Sequence, residues 1–208
     1  MIPELFIKGG PLMYLILLSS IVSTAVFFER LYHFKRASVK LPVFLTSLKE
    51  LIVKKQYLES IRFCADSKGP VPSVLKGGLV KHDDGRDRVK EGMQDNMVNE
   101  VARLEKNIPI IATISHITPL LGLLGTVLGM IKAFIVIQAK GGMVNPADLA
   151  GGISEALITT AAGLVVAIPS YMAYSYLVSR VHNFAFDMEK SATEIADLLE
   201  KAKKKHSI

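Results

Sequence analysis

Apolar residues gather in three blocks, near 12–34, 108–138 and 153–179, and the stretches between and after them are rich in charge. Each block exceeds the roughly 20 residues that a helix needs to cross a hydrocarbon core about 30 Å thick. A soluble core helix of that length and apolarity would be unusual. The pattern predicts an all-α membrane protein with three transmembrane helices. The charged stretches carry a helical period of their own. In DDGRDRVKEGMQDNMVNEVARLEKNI (83–108), Val89, Met93, Met97, Val101, Leu104 and Ile108 recur every three or four residues, one stripe of a helix. The stripe reaches the second block without a stop, which predicts one long helix rising into the membrane. Beyond the third block Val181, Phe184, Met188, Ile195 and Leu198 continue a similar stripe, so a second helix is expected to extend inward beside the first. Residues 43–68 suit short helices. KGPVPSVLKGG (68–78), with two prolines and three glycines, is expected to be a turn or break.

Charge changes this picture by giving it a direction. The net charge is +6, yet of the 25 Lys and Arg, 16 lie between Arg30 and Lys106 and six at or after Arg180. Only Lys8 and Lys140 fall in the segments left for the opposite side, with Lys132 inside a span. This is the positive-inside asymmetry. It predicts a periplasmic N-terminus (1–11), transmembrane helix 1 (12–34) and a cytoplasmic helical region (35–107). Transmembrane helix 2 (108–138), a periplasmic loop (139–150), transmembrane helix 3 (151–179) and a cytoplasmic C-terminal helix with a basic tail (180–208) follow. The first block lacks a basic leader and a small-residue cleavage site, and reads as a retained signal anchor. A nucleic-acid face is the weaker reading of the charge, because aromatics are not interleaved with it. The single Cys64 admits no intrachain disulfide and is expected to stay a reduced cytoplasmic thiol.

The chemistry lies in the second and third blocks. TPLLGLLGTVLGMIKAF (118–134) places Gly122, Gly125 and Gly129 in one helix, where glycine lets backbones approach, and Gly125 to Gly129 is a GxxxG pair. Gly163 in the third block is assigned the same packing role. Generic helix packing would account for the motif as well. Thr126 supplies a hydroxyl that either serves a path or bonds back one turn. Lys132 is expected to snorkel outward, and His116 near the inner end to be structural. The third helix is expected to start before its apolar run, with Asn145 as N-cap, Pro146 at the first position and Asp148 in the first turn. From that start Glu155 lies about 13 Å and Thr160 about 21 Å along the axis, and Thr126 about 18 Å from an outer end near Gln138. The three polar groups therefore share a layer inside the bilayer.

An acid there faces a bundle interior or a water-filled path, unless it snorkels or is protonated at the outer interface. Phase sets a constraint: Thr159 is about 40° and Thr160 about 140° round the helix from Glu155. Either the helix deviates from ideality, or Thr160 lies at a subunit seam while Thr159 faces the path. A lone acid without a basic partner makes a poor solute site but, in several copies about an axis, a ring.

Taken together, three spans, the large inner loop, TPLLGLLGTVLGMIKAF, GISEALITTAAGLVVAIPSYM and FFERLYHF (27–34) resemble the MotA/TolQ/ExbB proton-channel family, most closely its ExbB/TolQ branch. The resemblance covers nearly the whole chain. It implies a stator subunit of an inner-membrane motor in a Gram-negative-type envelope, oligomeric around a central pore. It further implies a homopentamer enclosing a dimer of a single-span ExbD- or TolR-like partner, whose Asp carries protons that drive periplasmic machinery. The family's pore residues fall on Thr126, Glu155 and Thr160. The chain departs in Thr159, where close relatives commonly carry Ala, and in His116; both add polarity near the path.

The competing readings are a flagellar-type stator subunit, which would show four spans, and a solute permease, which would show more spans and repeated halves. A third is a non-conducting membrane scaffold in which Glu155 is incidental. An enzyme is not expected: no nucleophile, base and orienter group together, and no motif calls for a cofactor or a metal.

Overall fold

The computed structural model describes residues 9–37, 41–143 and 145–204. Lys8, most of the N-terminal segment and the end of the basic tail lie outside the described residues. All regular structure among those described is helical: α1 (Leu12–Ala37), α2 (Leu41–Val53), α3 (Tyr57–Asp66), α4 (Pro70–Leu79), α5 (Arg86–Glu105), α6 (Ile108–Ala139) and α7 (Pro146–Lys204). Stretches in α1, α6 and α7 are long and apolar enough to cross a membrane. Over the described residues the protein is all-α, with three such helices.

Two expectations fail at prolines. Residues 68–78 form α4 rather than a break. Pro70 takes the first helical position and Pro72 follows within the first turn, where a backbone N–H has no partner inside the helix and its loss costs nothing. Gly69, at φ 126°, turns the chain into the helix. The glycines at the other end serve a close crossing with α5: a Cβ on Gly78 would lie 2.8 Å from the Val89 carbonyl oxygen, and one on Gly92 would lie 2.5 Å from that of Gly77.

Nor does the helix of 86–105 run on into the membrane block. The chain breaks at Lys106, which is extended at ψ 134°, and at Asn107, which is left-handed at φ 65°. The reason is Pro109. Within a continuous helix it would lack the N–H owed to the Glu105 carbonyl, and its ring would clash there; at the second position of a new helix it costs nothing. Asparagine tolerates the left-handed turn, and its Nδ2 donates to Glu29 Oε2 at 3.1 Å.

The start of α7 is as expected. Asn145 Oδ1 accepts from the Ala147 N–H at 3.4 Å, and Asp148 Oδ2 accepts from the Asn145 N–H at 3.0 Å, a reciprocal cap. Lys140 pairs with Asp148 at 2.6 Å. Its hydrogen bond, with the one from the Asn145 amide, holds the Asp148 carboxyl below the usual range.

The chain divides into two compact units, Met1–Glu29 with Asn107–Tyr176, and Arg30–Lys106 with Leu177–Ile208. In the second, Phe34, Leu48, Ile52, Leu75, Met93, Leu104, Met188 and Ile195 are buried. The sequence stripes supply much of that core. Phe44 stacks on Phe63 with ring centroids 5.2 Å apart, and Phe34 meets Phe184 edge-on at 5.7 Å. Ion pairs tie α7 to its neighbours: Lys49 to Glu194 at 2.5 Å, and Arg86 to Asp197 at 2.5 Å.

Cys64 is part of this core. Burial pushes its thiol up to about 12, against a smaller opposing effect of Lys76. The thiolate is the reactive form, so Cys64 is expected to resist maleimide at pH 7.5 in the folded protein and to react once denatured. Rapid labelling of native protein would contradict this burial.

Candidate functional site

The first unit is built on a seam of small residues between antiparallel α6 and α7. Gly122, Gly125 and Gly129 are buried on the α6 face turned to α7. A Cβ on Gly122 would lie 3.0 Å from the Thr160 Cα, and one on Gly125 would collide with the Thr159 side chain. One on Gly129 would lie 2.5 Å from the Gly152 carbonyl oxygen and 2.8 Å from the Ala156 Cβ. From the other side, Gly163 sits against the Thr118 carbonyl oxygen, 2.6 Å from where its Cβ would be. Glycine on both helices brings the backbones near enough for side chains of one to reach the main chain of the other. Thr160 Oγ1 does so, donating either across the seam to the Gly122 carbonyl at 3.0 Å or within its own helix to that of Ala156 at 3.1 Å. The first helix is tied in by the buried hydroxyl pair of Ser23 and Ser170, 2.8 Å apart.

This seam separates the two adjacent threonines. Thr159 is 1% exposed, and its hydroxyl bonds back to the carbonyls of Glu155 and Ala156, both at 2.9 Å. It is enclosed between helices and faces no surface of the chain. Thr160 is half-buried. Thr126, also half-buried, bonds back to the Leu123 carbonyl at 2.6 Å. Because Gly125 lies against Thr159 and Gly129 against Ala156, Thr126 stands at a level between Glu155 and Thr160. His116 is exposed on α6.

Glu155 is not the unpartnered acid that its apolar surroundings suggested. Lys132 Nζ donates to both of its carboxylate oxygens, at 2.6 and 2.7 Å. The Glu155 side chain is 19% exposed and that of Lys132 54%. A third wall comes from the turn before α1. Gly10 adopts the left-handed φ of 68°, and a Cβ there would collide with Glu155 Oε1. Sequence reasoning missed both neighbours. A signal for Lys132 exists: it lies roughly 10 Å before the C-terminal end of α6, and Glu155 about 13 Å into α7. A hairpin of two such helices therefore brings opposite charges to within one lysine stem of each other. Nothing comparable marks Gly10.

The arrangement supplies a charge pair, two half-buried hydroxyls and closely packed apolar walls within an apolar helix pair. Among the described residues no group of His, Cys, Asp and Glu could hold a metal ion.

The sequence profile of the MotA/TolQ/ExbB proton channel family matches residues 66–190. A putative biopolymer transport protein ExbB homolog of Methanothermobacter thermautotrophicus is 31% identical, over 86% of this chain and 63% of its own length. A putative biopolymer transport protein ExbB-like 1 of Synechocystis is 32% identical, over 84% of this chain and 69% of its own. The Tol-Pal system protein TolQ of Haemophilus influenzae is 40% identical over 50% of this chain and 45% of its own. This chain thus spans less than two thirds of the length of the first of these relatives and under half of the last.

Proposed function

The chain belongs to the MotA/TolQ/ExbB proton channel family, and from that premise we propose that it is the channel subunit of a proton-driven motor of the inner membrane. Five copies surround a dimer of a single-span ExbD- or TolR-like partner. The N-terminus and the 139–150 loop face the periplasm, and the charged helical region and C-terminus face the cytoplasm. Energy released by protons passes through the partner to periplasmic or outer-membrane machinery. The observation that carries this reading is Glu155: a part-buried carboxylate inside an apolar helix pair, level with the hydroxyls of Thr126 and Thr160.

The chemistry suits the task. Hydroxyls both donate and accept, so with water they carry a proton wire. One elementary charge crossing the membrane yields about 2.3 kcal/mol per 100 mV, which becomes work only when a partner moves. Apolar residues dominate the rest of the helix surfaces, so the subunit alone conducts little. Thr159, enclosed in the seam, acts by packing rather than in the path.

Proteoliposomes holding the chain with and without its partner test this. Proton flux is expected only with the partner. Thr126→Ala should lower it by less than removal of the carboxylate does, because water can stand in for one hydroxyl. No flux with the partner would favour a non-conducting scaffold, and equal flux without it would mean that the chain conducts by itself. Native mass spectrometry of the same sample should show five copies to two.

A further inference from the structure

We propose that Lys132 is a tethered cation that fills the ion site at Glu155 and thereby keeps metal cations such as Na⁺ out of it. The geometry is that of an occupied site. One ammonium bridges both carboxylate oxygens at 2.6 and 2.7 Å, the contact that a bound monovalent cation would otherwise make. Hard cations need several oxygen ligands, and the Thr159 hydroxyl, which could supply one, is 1% exposed and enclosed in the seam. The Thr159 hydroxyl bonds to the Glu155 and Ala156 carbonyls, and that of Thr160 to Ala156 or Gly122. Gly10 closes another side of the carboxylate.

A free ion must therefore displace a charge held on the same helix pair at a high effective concentration, which short tethers place in the millimolar range or above. It must do so beside a like charge. A proton escapes this competition. It bonds to a carboxylate oxygen, the pair opens, and the ammonium keeps its three protons and swings towards its exposed side. The consequence for coupling, that the driving ion is H⁺ and that Lys132 enforces the choice, rests on Glu155 lying in the ion path. The occupancy itself does not.

The test measures ion binding without transport. The ²³Na resonance is recorded with the detergent-purified chain at pH 7.5, choline chloride holding the ionic strength constant. Wild type is expected to give the same line width as Glu155→Gln. Lys132→Gln and Lys132→Ser should each broaden the line, and the broadening should vanish in Lys132→Gln combined with Glu155→Gln. Lys132→Arg, which restores a cation, should behave as wild type. A Glu155-dependent broadening in the wild type would overturn the proposal, and that comparison stands even if the Lys132 variants fold poorly. So would folded Lys132 variants that match Glu155→Gln. Neither result depends on whether the complex conducts, so a failure of the channel reading would show separately, in the flux assay.

Discussion

Glu155→Ala is expected to abolish partner-dependent proton flux while leaving the protein folded and assembled. The loss should be about 100-fold or more, the scale on which removing a positioned proton-transfer group acts. The survival of the fold follows from an asymmetry within the ion pair. Removing Glu155 leaves Lys132, whose side chain is already 54% exposed and whose stem lets the ammonium move outward. Removing Lys132 instead strands a carboxylate that is only 19% exposed, the costlier half of such a pair to orphan. Thr160→Ala should also lose transduction, and here the double variant Glu155→Ala, Thr160→Ala is informative. It is compared with wild type for flux, or for the downstream envelope phenotype, at matched protein levels. Normal transduction in the double variant would show that both side chains only pack α7 against α6.

Gly129→Val should damage the fold itself. A Cβ at this position meets the Gly152 carbonyl oxygen at 2.5 Å and the Ala156 Cβ at 2.8 Å. Main-chain atoms of α7 cannot rotate away as a long side chain could, so the helices must part. Parting them strains the Thr160 bond to the Gly122 carbonyl, one link across the seam. Overpacking of this kind costs about 1–3 kcal/mol and occasionally more. With about 2–4 °C per kcal/mol for a chain of this size, thermal unfolding in detergent should come about 2–12 °C early, with loss of a monodisperse oligomer on gel filtration. Gly151→Ala is the control. Nothing lies within 4 Å of a Cβ there, so it should elute and melt as wild type does. Equal melting of Gly129→Val and Gly151→Ala would mean that the seam yields and that these glycines do not set the helix spacing.

Much of the architecture was legible from local chemistry. The three apolar blocks announced the long helices, and Asn145, Pro146 and Asp148 announced the start of α7, because capping is decided among residues a few positions apart. The stripe through Val89, Met93 and Leu104 marked a buried helical face. The same stripe hid the break at Asn107, since Leu104 and Ile108 keep helical spacing across it. Only the requirement of Pro109 for a first-turn position reveals the interruption. In 68–78 the error ran the other way. Proline and glycine were read as breakers, whereas their positions, prolines in the first turn and glycines at a helix crossing, are those a helix accepts.

The candidate site divides along the same line. By itself the sequence determined that Glu155, Thr126 and Thr160 lie inside apolar helices at comparable depth, because depth follows from rise per residue along a straight helix. Which groups touch was decided by tertiary structure alone. Contact depends on how α6 and α7 are rotated about their axes and on the register between them. Both are fixed by the close approach that Gly122, Gly125, Gly129 and Gly163 permit. That approach encloses Thr159, leaves Thr160 half-buried, and aligns Lys132 with a carboxylate 23 residues away in the chain.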